Sequence, residues 1–70
     1  MLCNYQWVYS SGLTWINLDE NTQSQIERLW ASDASNWIAS SSFPGPVYVD
    51  TSLMVMVISN VSYTIARCRK

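Results

Sequence analysis

Residues 5–18 have the sequence YQWVYSSGLTWINL, in which two runs rich in aromatic and β-branched residues flank a Ser-Ser-Gly cluster. Aromatic and β-branched residues favour strands, and glycine readily takes the positive φ that a tight turn needs. The pattern therefore predicts a β-hairpin whose strands cover about residues 5–10 and 13–18.

The two-residue period of a strand gives each side chain of the hairpin a face. Trp7 and Tyr9 fall on one face of the first strand, and Leu13 and Trp15 on one face of the second. The 70-residue chain has four Trp and four Tyr in all, and each large ring buries roughly 150–250 Å². A domain of this size buries only about 60% of the surface of its unfolded chain, so we expect an aromatic core.

The segment after the hairpin predicts one helix, at about residues 21–31. Thr22 is a candidate N-cap, with Gln25 three positions later as in a capping box. Apolar residues at helical spacing form a single stripe, Ile26, Leu29 and Trp30. The opposite side is polar enough to face solvent, with Gln23, Ser24, Glu27 and Arg28.

Four further β-rich segments follow, at about residues 37–39, 47–50, 53–58 and 62–68. The Pro-Gly-Pro at residues 44–46 lacks two backbone donors and must form a turn. Five or six strands and one strongly amphipathic helix indicate an α+β fold, with the helix packed against a mostly antiparallel, curled sheet. We expect a single domain covering residues 1–70.

Composition argues against several classes of function. The chain has no histidine, the commonest general base and a frequent metal ligand. Its only cysteines, Cys3 and Cys68, are wrongly spaced for a zinc site, and free thiols are favoured over a disulfide. We therefore predict no catalytic residue, no metal and no cofactor. A net charge of −1 carries no DNA-binding signature, and residues 53–58 are too short an apolar run to span a membrane.

Motifs spread over nearly the whole chain resemble the WWE domain, a family named for two tryptophans and a glutamate. In chain order they are QWVY at 6–9, Trp15, QIE at 25–27, VYVD at 47–50 with Met54, and YTIAR at 63–67. The resemblance implies a half-barrel sheet packed on one helix. For Glu27 itself, we favour an exposed or hydrogen-bonded helix carboxylate that tethers the helix to a neighbouring strand over any ligand role. The resemblance also implies an intracellular protein of ubiquitin transfer or ADP-ribosylation, in the nucleus or the cytoplasm.

The resemblance further implies a ligand. Several WWE domains bind the iso-ADP-ribose unit of poly(ADP-ribose), with aromatic residues around the adenine and polar or basic residues around the phosphates. Carried over to this sequence, the implied ligand-binding residues are Tyr9, Trp15, Tyr48 and Arg67. The implied function is a non-catalytic recognition module for poly(ADP-ribose).

An alternative function stays open beside it. Val47, Met56 and Tyr63 stand where ligand-binding members carry a tyrosine, a glutamine and an arginine. A pyrophosphate without paired cations loses charge-assisted hydrogen bonds of about 1.5–3 kcal/mol each. The alternative is a protein-interaction or structural WWE domain with a degenerate ligand pocket.

Overall fold

A computed structural model describes residues 5–69 of the chain. It contains one helix and six strands, in the order β1 (Tyr5–Ser11), β2 (Thr14–Asn17), α1 (Glu20–Ala31), β3 (Ser35–Ala39), β4 (Pro46–Asp50), β5 (Val55–Ile58) and β6 (Val61–Arg69). The predicted α+β class is confirmed. The thiol predicted for Cys3, like the two ends of the predicted domain, lies outside the described residues.

The strands form one open sheet in the order β2-β1-β6-β5-β4-β3, and every neighbouring pair is antiparallel. The first and last strands of the chain meet in the interior of this sheet. Trp7 lies opposite Arg67, and Tyr9 lies opposite Ile65. β2 and β3 are the edge strands, so the second tryptophan of the hairpin, Trp15, lies at one edge.

The helix covers one face of the sheet, which we call the helix face. The buried core forms between them and consists of Trp7, Leu18, Ile26, Ile38, Val47, Val49, Met56 and Ile65. Side chains alternate between the two faces of a strand, so the neighbours of these core residues point to the opposite side, which we call the outer face. Trp15 lies opposite Ser10 and Tyr48 opposite Val57, and both aromatic rings are therefore on the outer face.

The N-cap of the helix lies three residues earlier than predicted. Asp19, not Thr22, is the N-cap, and its carboxylate accepts a hydrogen bond from the Thr22 backbone N–H at 3.0 Å. The Thr22 hydroxyl donates to the same carboxylate at 2.6 Å, and Ser42 donates to it from the loop before β4. Because this one acidic side chain satisfies helix and loop together, it prevails over the Thr22–Gln25 capping box.

Gln23 does not face solvent, contrary to the prediction for the polar side of the helix. Its side-chain oxygen accepts a hydrogen bond from the Trp7 backbone N–H at 2.8 Å, and its amide donates to the Leu18 carbonyl at 2.6 Å. Pairing between β1 and β2 ends at Val8 and Asn17. Gln23 thus satisfies backbone groups just beyond the point where the hairpin ends.

Two strands are shorter than predicted because turn residues occupy their first positions. Leu13 belongs to the hairpin turn with Gly12, which has φ +63°, and so it does not share a strand face with Trp15. Met54 has φ +55° and closes a turn before β5. Asp50 Oδ1 holds that turn by accepting the backbone N–H groups of residues 52 and 53.

Candidate functional site

Three elements meet at the carboxylate of Glu27, on the helix face. Trp7 Nε1 donates to Glu27 Oε1 at 2.8 Å from β1. From β6, Arg67 donates through Nε to Oε1 and through Nη2 to Oε2, each at 2.8 Å. Such a bidentate arginine–carboxylate pair is both directional and strong for its type. We call these three residues, together with Trp30, the Glu27 junction.

Aromatic rings enclose the arginine of the junction. The Arg67 guanidinium carbon lies 4.2 Å from the centre of the Trp30 ring and 5.0 Å from that of Tyr5. Trp30 also packs edge-to-face on Trp7, with ring centres 6.3 Å apart. Cation–π contacts of this kind add to the ion pair, so the junction ties α1 to β1 and β6.

Titration of the junction follows from these contacts. The hydrogen bond from Arg67 holds the pKa of Glu27 below its ordinary value of 4.5, with a further contribution from Trp7, against the opposing effect of partial burial. The same hydrogen bond raises the pKa of Arg67. Both side chains are charged at neutral pH, and each already has its partner.

Tyr9 lies away from the junction in a cluster of three aromatic rings, all of them partly buried against the core. Its ring centre is 5.4 Å from that of Phe43 and 5.8 Å from that of Tyr63, and both contacts are edge-to-face. Phe43 comes from the loop between β3 and β4. We call these three residues the Tyr9 cluster.

The four residues that the WWE resemblance implied as ligand contacts do not converge. Tyr9 and Arg67 are on the helix face, in the Tyr9 cluster and the Glu27 junction respectively. Trp15 and Tyr48 are on the outer face, on β2 and β4, which three other strands separate in the sheet. These residues therefore do not surround one ligand.

An exposed aromatic surface occupies the outer face near β3. Trp37 is 61% exposed, and its ring centre lies 5.2 Å from that of Tyr48 in an edge-to-face contact. Beside Trp37, the Pro44–Gly45–Pro46 loop lines two shallow grooves, with volumes of about 530 and 250 Å³. We call Trp37, Tyr48, Val57 and this loop the Trp37 surface.

Sequence reasoning assigned no site role to Trp37 or Phe43. It placed Trp37 in a short strand, and the alternation of that strand could have shown that Trp37 and Ile38 point to opposite faces. Ile38 is buried in the core, so Trp37 must point outward. Phe43 carried no such signal, because its contact with Tyr9 depends on the path of a loop.

Within residues 5–69, no group of three potential metal-ligating side chains is present. Nor does any helix in this range have the length and hydropathy needed to cross a membrane. Cys68 has an exposed, free thiol. Among residues 5–69, Glu27 and Arg67 form the only salt bridge.

Comparisons with known proteins were made at the level of family, sequence and structure. No protein-family model matches the chain, and no match was found among curated proteins or solved structures. The likeness to WWE domains, and the site residues implied by it, therefore stay predictions.

Proposed function

We propose that the chain is a non-catalytic recognition module of the WWE type, and that its ligand is a protein rather than poly(ADP-ribose). One observation carries the choice of ligand. Arg67, the cation expected to serve the phosphates, is engaged by Glu27 through two nitrogens and lies over Trp30. Protein binding is also the alternative function that the residues at positions 47, 56 and 63 favour.

Glu27 already occupies Nε and one N–H of Nη2 of Arg67, so a pyrophosphate can bind this side of the guanidinium only by displacing the carboxylate. A phosphate that binds the remaining N–H groups lies close to the partly buried Glu27 anion. A hydrogen bond to a charged group contributes about 1.5–3 kcal/mol, so the exchange of carboxylate for phosphate gains little. Repulsion between Glu27 and the phosphates opposes it further.

The Glu27 junction supports the WWE assignment itself. Trp7, Glu27 and Arg67 come from three of the motifs that carry the resemblance, and here they are bonded to one another across β1, α1 and β6. A non-catalytic role is proposed because the chain has no histidine, the commonest general base. An intracellular location, in a ubiquitin or ADP-ribosylation protein, is part of the same proposal.

Poly(ADP-ribose) remains the second candidate because of the Tyr9 cluster. Its three rings are only partly buried, and a purine stacked on an aromatic side chain gains roughly 1–3 kcal/mol. An adenine that displaced Phe43 from Tyr9 could use this surface. Binding would then depend on stacking without a phosphate contact from Arg67.

A titration separates the two candidates. The ¹⁵N-labelled chain is titrated with iso-ADP-ribose while amide and indole resonances are recorded by NMR, and a well-dispersed spectrum shows that the domain is folded. We expect no saturable shift at Tyr9, Tyr63 or Arg67 up to about 1 mM ligand, an affinity limit of about −4 kcal/mol. Saturable shifts at these residues below that concentration would establish the nucleotide function instead.

A second experiment tests the protein ligand directly. The folded chain is immobilised and used to select from a random peptide library displayed on phage. We expect selected peptides that bind the chain in solution with micromolar dissociation constants, or about −8 kcal/mol. If no peptide is selected and iso-ADP-ribose binds, the proposed function is wrong.

A further inference from the structure

We propose that the Trp37 surface binds a proline-rich protein segment in the polyproline II conformation. This inference rests on the proposed function, because it names the partner chemistry and the face of the domain that recognises it. Aromatic-lined grooves on other domains bind such segments by accepting proline rings between aromatic side chains.

Strand register places the required side chains in one row. On the outer face, Trp37 on β3 lies opposite Tyr48 on β4, which lies opposite Val57 on β5. Side chains directly opposite each other in an antiparallel pair have Cβ atoms about 4.5–5.5 Å apart. The row is therefore a continuous apolar and aromatic strip across three strands.

Trp37 takes part in the lining of two shallow grooves, one reaching towards the helix face and the other towards β5. Both are lined by Trp37, Gly45 and Pro46. The larger continues to Gln25 and Phe43, and the smaller continues to Val57 and other residues of the β5 side. A polyproline II helix has three residues per turn and a rise of about 3.1 Å per residue, so it presents a proline ring to one side at every third residue.

The absence of charged side chains in the two grooves favours an uncharged ligand. None of the residues that line either groove carries an ionisable side chain. A phosphopeptide, a nucleotide or a strongly basic peptide would bury charge there without a partner, which is costly. A proline-rich segment satisfies this condition because its rings are apolar and its backbone has no N–H at each proline.

The Trp37 indole N–H is a hydrogen-bond donor suited to the same ligand. No acceptor within residues 5–69 binds the Trp37 indole N–H, so it is free to donate to a ligand carbonyl. The carbonyls of a polyproline II segment are free to accept, because this helix has no internal hydrogen bonds. Trp donates only through this group, and it can thus fix the position of the segment along the strip.

The edge of β3 disfavours the other common mode, in which a peptide adds a strand. The Trp37 backbone N–H donates to the Asn36 side chain at 2.8 Å, and the Ala39 carbonyl accepts from Gln25 at 2.6 Å. Strand addition needs these backbone groups to be free. A ligand that uses side-chain contacts and the indole N–H leaves both bonds in place.

The test uses a blocked oligoproline of about ten residues, a preformed polyproline II helix, titrated into the ¹⁵N-labelled chain. We expect saturable shifts of the Trp37 indole and of the Tyr48 and Val57 amides, with a dissociation constant of roughly 0.1–1 mM. Trp37→Ala should weaken binding at least about tenfold, or about 1.4 kcal/mol. Trp37→Phe keeps a ring but has no indole N–H, and an intermediate loss is expected.

Trp15→Ala is the matched variant, because Trp15 is another exposed tryptophan of the outer face, at the opposite edge of the sheet. It should bind oligoproline within about twofold of the wild type, a difference of about 0.4 kcal/mol. An equal loss in both tryptophan variants would contradict the assignment of binding to the Trp37 surface. So would shifts confined to Tyr9 and Tyr63, or no shift at about 5 mM peptide, an affinity limit of about −3 kcal/mol.

Self-association is a further outcome that would overturn the inference. The chain has its own Pro-Gly-Pro loop, so a second copy could occupy the strip. In that case sedimentation shows a concentration-dependent dimer, and the Trp37 indole resonance shifts on dilution. If phage selection gives peptides without proline, or peptides that bind elsewhere, this inference fails and the proposed protein-binding function stands.

Discussion

Trp7 and Trp37 lie on opposite faces of one sheet and have opposite surroundings. Trp7 is fully buried, its indole N–H is bonded to Glu27, and Trp30 packs on its ring. Trp37 is 61% exposed and contacts Tyr48. Trp7 is thus committed to the packing of the fold, whereas the ring of Trp37 is accessible to a partner.

Position in the sheet explains the difference. β1 lies between β2 and β6, and the helix covers it on one face, so Trp7 has neighbours on every side of its ring. β3 is an edge strand, and the alternation that buries Ile38 turns Trp37 outward. Recognition of a partner requires an accessible ring, which only the second environment provides.

The largest expected effect comes from Trp7→Ala. Removal of a buried Trp side chain costs about 3–5 kcal/mol, and it also deprives Glu27 of a donor. Small domains have free energies of unfolding of about 5 kcal/mol at the low end, so we expect little folded protein and no cooperative transition in urea followed by circular dichroism. Trp7→Phe, which keeps a large ring, should retain a transition at a lower urea midpoint.

A smaller loss is expected for Gln23→Ala. The change leaves the Trp7 N–H and the Leu18 carbonyl without their partner, and an unsatisfied buried polar group costs about 1–3 kcal/mol. Urea denaturation measures the difference. Gln25→Ala is the matched control, because this partly exposed glutamine makes its hydrogen bond to the Ala39 carbonyl near the surface, and a change within about 0.5 kcal/mol is expected. Equal losses of unfolding free energy in the two variants would show that the buried hydrogen bonds of Gln23 stabilise the fold no more than the bond of Gln25.

The burial of Gln23 could not be predicted from the sequence. The hairpin, the helix and the later β-rich runs follow from local residue preferences, and all are present. Helical periodicity assigned Gln23 to the solvent side because it depends only on the polarity of each residue. It contains no information about a backbone N–H that is left unpaired in a neighbouring strand. Once β1 continues beyond the end of β2, a buried amide is more favourable than an apolar residue there, and only the tertiary arrangement shows this.

The candidate site was predictable only in part for a related reason. Trp7, Glu27 and Arg67 stand in three of the motifs that carry the resemblance to WWE domains, and these residues meet in the structure. Trp15 and Tyr48 were grouped with Tyr9 on the same basis. Strand register separates them, because a residue's face depends on pairing with neighbouring strands.

The third prediction concerns acid stability, through Glu27→Gln. The pKa of Glu27 is lower in the folded state than its ordinary value of 4.5. The ionised carboxylate therefore stabilises the fold fully at pH values above 4.5, and this stabilisation is lost as the pH falls through the pKa of the folded state. At pH 7 we expect Glu27→Gln to lose about 1 kcal/mol, the upper range for a partly exposed ion pair. The difference from wild type should shrink below about pH 4.5.

Thermal unfolding of both proteins between pH 3 and pH 7 measures this difference in stability. The measurement must resolve a change of about 1 kcal/mol. Asp19 also has a lowered pKa, because hydrogen bonds from Ser42 and Thr22 outweigh its partial burial, so the variant keeps some acid sensitivity. Arg69→Gln removes a cation from β6 outside the junction and should leave the pH profile parallel to that of the wild type. A constant difference between Glu27→Gln and wild type at all pH values would contradict the role given to the carboxylate charge.

The smallest effect on stability is expected at Trp37. Trp37→Ala removes a cross-strand pair with Tyr48, and such pairs contribute roughly 0.2–1 kcal/mol, so the urea midpoint should fall only slightly. Trp15→Ala, at the opposite edge, should behave similarly. A loss above about 2 kcal/mol for Trp37→Ala would exceed what an exposed edge position explains. Trp37 would then belong to the packing of the fold as Trp7 does, and burial would no longer separate the structural tryptophan from the one available to a partner.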